Sequence, residues 1–120
     1  MADKDTPRVP GALHIADGVI AELAGYTALA SYGVVGMAAP TVQDGFAKLL
    51  PAQKLRRGIL VDVQEEGAVI DLYVIIENGT NLAAVSKSLA NSVRYVLEQF
   101  VQIKIADVRV HVQGIHLKKS

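Results

Sequence analysis

The chain has 120 residues, 12 basic and 12 acidic side chains, no formal net charge, no cysteine and no tryptophan. A chain of this length forms one domain that buries roughly two thirds of its unfolded surface, and its balanced charge gives no long-range pull toward phosphate backbones or anionic lipid. The lack of cysteine excludes disulfides, thiolate zinc sites and a cysteine nucleophile, and hydrophobic residues at 51% with aromatics at only 5% require an aliphatic core.

Residues 1–10 carry Asp3, Lys4, Asp5, Pro7 and Pro10 and read as a mobile tail, as do residues 118–120. One domain is expected over 11–117. Leu13-His14-Ile15 reads as a short strand. Asp17 then opens a helix to about Ser31, with Val19, Ile20, Leu23, Ala24 and Thr27 at helical spacing. Gly33 is a stop signal, and Val34–Ala39 reads as a second strand ended by Pro40. A short helix is expected around Gln43–Leu50, closed by Pro51. Lys54, Arg56 and Arg57 form a small basic cluster.

The following residues alternate strongly. Ile59, Val61 and Val63 share one face of a strand, with Leu60, Asp62 and Gln64 on the other. Ile70, Leu72, Val74 and Ile76 oppose Asp71, Tyr73 and Ile75 in the next. Glu66-Gly67 marks a tight turn, so the two should form an antiparallel hairpin. Asn81 or Thr80 caps a helix to about Phe100. Its apolar stripe is Leu82, Val85, Leu89, Val93, Val96, Leu97 and Phe100. A last strand, about Ile105–Gly114, turns Val108, Val110 and Val112 one way and Arg109, His111 and Gln113 the other.

The predicted order is β-α-β-(α)-β-β-α-β. This is an α+β fold, a two-layer sandwich with a small mixed or antiparallel sheet and two main helices on one face. The other sheet face is left carrying Asp62, Gln64, Asp71, Tyr73, Arg109, His111 and Gln113, an open polar surface suited to contacts. Exposed sheet edges offer a second route, by strand addition between subunits.

Four segments resemble the bacterial alkaline shock family of envelope stress proteins. They are Ile15-Ala16-Asp17-Gly18-Val19-Ile20-Ala21 with Leu23-Ala24-Gly25, then Gly33-Val34-Val35-Gly36-Met37, Ile70-Asp71-Leu72-Tyr73-Val74-Ile75, and Val108-Arg109-Val110-His111-Val112-Gln113-Gly114. They span about residues 11–117 in the family's order. Gly18 stands where the family usually carries an acid, and residues 38–57 match it poorly. The resemblance implies a small cytoplasmic bacterial protein without enzymatic activity or cofactor. Such proteins are tied to envelope homeostasis and to alkaline or general stress; some self-assemble and some lie beneath the membrane through a membrane-anchored partner.

The other motifs have plain readings that outweigh their chemical ones. Zinc needs three or four convergent ligands, whereas His14 is far in sequence from the other two histidines and on an unbroken strand His111 and His116 would point to opposite faces. An ordinary histidine titrates near neutrality, so His111 beside Arg109 and Asp71 would link that face to pH, although a solvated strand histidine is the simpler reading. Gly33-Val34-Val35-Gly36 spells the GxxG of a KH nucleic-acid domain, but it lies between a helix and a strand and has no basic residue at its centre. Asp62 and Asp71 would be cross-strand carboxylates without a nucleophile or metal set beside them. Lys54, Arg56 and Arg57 give too few charges to anchor a chain on anionic lipid. No Walker loop, Rossmann fingerprint or serine elbow is present.

These features predict a non-enzymatic interaction or scaffold protein that has a protein partner and self-associates, with no metal, no cofactor and no membrane insertion. Membrane proximity would come only through the partner. A KH-like nucleic-acid module and a regulatory subunit of a metabolic enzyme are the alternatives.

Overall fold

The computed structural model describes residues 10–41 and 48–117, the side chains of 10–17 and 52–53 excepted. The described residues form two helices and four strands. They are α1 (Pro10–Ala30), β1 (Val34–Met37), β2 (Ile59–Gln64), β3 (Gly67–Glu77), α2 (Leu82–Val96) and β4 (Ile105–His116), with a 3-10 turn at Ala52–Gly58 before β2. The expected α+β architecture is present. The expected tails at 1–9 and 118–120, and positions 43–47 of the short helix, lie outside the described residues.

Three local readings are corrected. Leu13–Ile15 is not a strand but part of α1, which begins at Pro10. Proline suits the first helical turn, where its missing N–H has no intrahelical partner in any case, and a three-residue apolar run does not tell strand from helix. Residues 48–50 are not helical: Leu49 bridges Ala38 and the Leu50 N–H donates to the Met37 carbonyl. The third correction concerns the end of α2. Its last turn widens into a π turn at Leu97–Val101, where the Gln102 N–H reaches back to the Leu97 carbonyl at 3.1 Å. The extra residue rotates Phe100 out of the stripe, and it is 75% exposed.

β3 is the spine of the sheet. β4 runs parallel to it along one edge from Ala68 to Glu77. On the other edge β2 pairs antiparallel with residues 67–72 and β1 antiparallel with 74–76. Leu72 therefore lies between Ile59 and Val110, and Val74 between Met37 and Val112. β1 and β2 lie end to end in one column, and the open sheet is mixed. Gln64 opposite Gly67 closes the predicted hairpin over Glu65-Glu66.

Both helices pack on the same sheet face. Ile20, Ala21, Ala24 and Ala28 of α1 and Val85, Leu89 and Val93 of α2 meet Ile59, Ile70, Leu72, Val74, Ile76 and Val108 in one core. The alanines let α1 lie close to the sheet. Val19, expected in the α1 stripe, and Leu82, expected in that of α2, are instead exposed. α1 stops at Gly33, which takes φ +84°, a conformation that other L-residues rarely adopt. Asn81 caps α2, its side chain accepting from the Ala84 N–H at 3.0 Å.

A candidate interaction face built on Asp71, Tyr73, Arg109 and His111

Pairing of β3 with β4 sets this site. Register places Asp71 beside Arg109 and Tyr73 beside His111, on the sheet face opposite the two helices. Arg109 donates from Nε to Asp71 Oδ1 at 2.8 Å and from Nη2 to Oδ2 at 3.0 Å, a two-point fork that adds direction as well as strength. His111 Nε2 lies 2.7 Å from Asp71 Oδ1. An ionised carboxylate only accepts hydrogen bonds, so this nitrogen carries a proton. The His111 ring stacks on Tyr73 with centroids 4.5 Å apart and planes 13° from parallel.

The Arg109 hydrogen bonds hold the Asp71 carboxyl below its usual range, and the contact with His111 adds to them; burial opposes both. Asp71 in turn pushes the Arg109 guanidinium up, and Asp107 nearby adds to it. The carboxylate is mostly enclosed, its side chain 12% exposed, whereas Arg109 and His111 keep 55% and 39% of their side-chain surface in solvent. One buried anion thus holds a guanidinium and an imidazole, both reachable from solvent, in fixed positions beside the aromatic surface of Tyr73. That arrangement can recognise a partner's carboxylate, carbonyl or aromatic group. It lacks a nucleophile placed against a base.

Other expected members of the face are placed elsewhere. Gln64 donates to Asp62 Oδ2 at 2.8 Å, making a separate exposed pair on β2. Asp62 lies opposite Val69, and Asp71 opposite Leu60, so the two carboxylates are not direct cross-strand neighbours. Gln113 donates from Nε2 to the carbonyls of Ala39 and Pro40 at 3.1 and 2.9 Å. Those residues follow β1 on the far side of β3, so a glutamine on β4 reaches them only where the segment folds back across the sheet. One end of the face is thereby covered, and Ile75 is buried there. Lys54, Arg56 and Arg57 are exposed beside α1, where the Arg56 guanidinium lies 3.2 Å from the point at which Gly18 would carry a Cβ.

A second acid–histidine contact was not anticipated. His116 Nδ1 lies 3.3 Å from Glu77 Oε2. β4 bulges between Val112, opposite Val74, and Gly114, opposite Ile75. The extra residue brings His116 onto the same face as His111, contrary to the expectation for an unbroken strand. The isolated Gly114 was the available signal, because a lone glycine in an alternating strand often marks a bulge.

Among the described residues no three His, Asp or Glu side chains come together as a metal site would require. Surface depressions lie against Gly18, Arg56, Arg57 and Leu60, and between the helices at Tyr26, Tyr32, Ser88 and Ser92; neither includes Asp71 or Arg109. Gly33–Gly36 forms a helix stop and a strand. No helix among the described residues is long and apolar enough to cross a membrane.

Two helices on one side of an open mixed sheet, with a bonded polar cluster on the other, define a small α+β domain that presents a sheet surface. The chain belongs to the alkaline shock protein 23 family, whose function is described as cell envelope-related and whose model matches residues 5–117. It is 32% identical over 108 residues to the uncharacterized protein YloU of Bacillus subtilis, covering 89% of this chain and 90% of the relative. It is also 32% identical over 106 residues to the uncharacterized protein Spy1614 of Streptococcus pyogenes, covering 88% of each. The uncharacterized protein YqhY of Bacillus subtilis is 29% identical over 108 residues, which is 88% of this chain and 77% of that protein. No solved structure matches the chain.

Proposed function

We propose that this protein is a non-enzymatic interaction module of the cell envelope. In this reading it binds a protein partner through Asp71, Tyr73, Arg109 and His111 and also associates with itself. The observation that carries the reading is the Asp71 carboxylate, enclosed and yet spent on orienting two partly exposed side chains, Arg109 and His111. Burying an acid to hold an exposed arginine contributes little to stability by itself. It does keep guanidinium and imidazole in fixed positions, which lowers the ordering entropy that a partner must overcome. The partner would be membrane-anchored, consistent with the envelope-related family, and the protein would lie on the cytoplasmic side. Its role in alkaline or general stress would follow from that contact.

The test is a paired purification after mild crosslinking in cells, comparing wild type with Tyr73→Ala and Arg109→Ala. A defined membrane-protein band recovered with wild type and lost with both folded variants supports the reading. Equal recovery with all three places the contact elsewhere.

A further inference from the structure

β4 pairs with β3 along one edge, and among the described residues no strand pairs with the other. The direction of its backbone groups follows from neighbouring bonds. The Ala38 N–H donates to the Tyr73 carbonyl and the Glu77 N–H to that of Gly33, so odd residues of β3 turn toward the β1–β2 column. Even residues turn toward β4, as the Ala68 N–H does in donating to Lys104. Ile70, Leu72 and Val74 therefore face β4, and their register partners are Val108, Val110 and Val112. In a parallel pair, a residue opposite one that faces it bonds through its neighbours and turns its own groups away. The N–H and C=O of Val108, Val110 and Val112 consequently point outward.

Both ends of this edge are protected. Arg94 Nη1 donates to the Ile105 carbonyl at 3.0 Å, and the bulge at Gln113 breaks the line at the other end. Such devices blunt edges against pairing. The stretch between them has neither device, and it is nearly palindromic: Val108-Arg109-Val110-His111-Val112. A two-fold axis sets each residue of the strand against its counterpart running the other way, and here that places valine opposite valine.

We propose that two copies of this chain join through the outer edge of β4, antiparallel about Val110. The inference rests on the reading of the chain as a self-associating module and names the surface. Val108 pairs with Val112 of the second copy, and Val110 with its own counterpart, each pair exchanging two backbone hydrogen bonds. Val110 and Val112 are only partly buried and already pack against the core, so valine on valine continues that layer across the axis. On the opposite face Arg109 comes to lie beside His111 of the second copy. The two Asp71 clusters then form one strip.

The chain has no cysteine, so a single introduced thiol reports this geometry. Hydrogen-bonded antiparallel partners have Cα atoms about 5.5 Å apart, within disulfide range. Val110→Cys in a glutathione redox buffer is expected to give a disulfide-linked pair on a non-reducing gel, and Leu60→Cys on β2 is not. Val110→Pro removes one outward N–H and leaves the bonds to β3, a tolerated edge position. Light scattering on the full chain is expected to show two copies for wild type and one for Val110→Pro, with unchanged circular dichroism. If wild type assembles, Val110→Pro keeps its mass and Val110→Cys crosslinks no more than Leu60→Cys, the β4 edge is wrong while self-association stands. If wild type is a single chain at high concentration, both fall. If the proline variant unfolds, the cysteine pair decides: crosslinking at Val110 above the Leu60→Cys level supports the edge, and its absence overturns it.

Discussion

Asp71 and Arg109 meet across the parallel β3–β4 pair through two nearly equal contacts, 2.8 and 3.0 Å, and both carboxylate oxygens are engaged. The acid lies in the long strand that the whole sheet shares, and the base lies in the strand that closes it. The side-chain contact therefore fixes the same register as the backbone ladder.

That contact ties part of the stability to pH on the acid side. The folded carboxyl titrates below its unfolded value, so its contribution is complete above the unfolded value of about 3.9 and is lost as pH falls through the folded one. Urea midpoints measured from neutrality downward should hold and then fall below about pH 4. Asp71→Asn should flatten that fall and lower the unfolding free energy at neutral pH by about 1 kcal/mol, a small effect because both partner side chains can turn to solvent. A variant with the wild-type acid slope would show that other carboxylates carry it.

Gly33→Ala tests the stop after α1. Gly33 takes φ +84°, and an added Cβ would come within 2.7 Å of Val85 Cγ2. The expected loss is about 1–3 kcal/mol, read as a lower midpoint in a thermal melt followed by circular dichroism. An unchanged midpoint would mean that the turn relaxes around the methyl group.

Asn81→Ala removes the acceptor for the Ala84 N–H. Loss of such a cap typically costs about 1 kcal/mol, and Asn81→Ser should recover most of it. Chemical denaturation of the three proteins checks both statements; equal losses for alanine and serine would count against the capping role.

Gln113→Leu keeps the side chain's bulk but deletes both bonds to the Ala39 and Pro40 carbonyls. Hydrogen exchange at the Ala38 amide, bonded to Tyr73, should quicken, while amides in the middle of β3 stay protected. A net loss near 1 kcal/mol per neutral bond is the scale. Protection unchanged at Ala38 would show that the segment is held by Leu49 and Leu50 alone.

The hairpin and the buried stripe of α2 were legible in the sequence because each depends on local alternation or helical spacing. Ile59 and Val61 against Leu60 and Asp62, and Val85, Leu89 and Val93, are sorted by period alone. The members of the polar face could be read in the same way. Their grouping could not, since Asp71 finds Arg109 through a strand 38 positions away. One bulge changed the face of His116, one π turn exposed Phe100, and a proline suited to a helix start turned Leu13–Ile15 from strand to helix. Each is a displacement of a single residue or a few, which averaged periodicity does not register.

β3 receives its two sides at different times. The β2 side follows from a turn of two residues, so that hairpin closes quickly and early. The β4 side closes only after α2 has been made and the chain beyond Ile105 is available, at the larger entropy of a long loop. Until β4 docks, the β4 side of β3 has no partner strand. Ile70, Leu72 and Val74 then present bare N–H and C=O groups to whatever is near. The interval between formation of the hairpin and arrival of β4 is therefore the one in which this sheet is most open to mispairing.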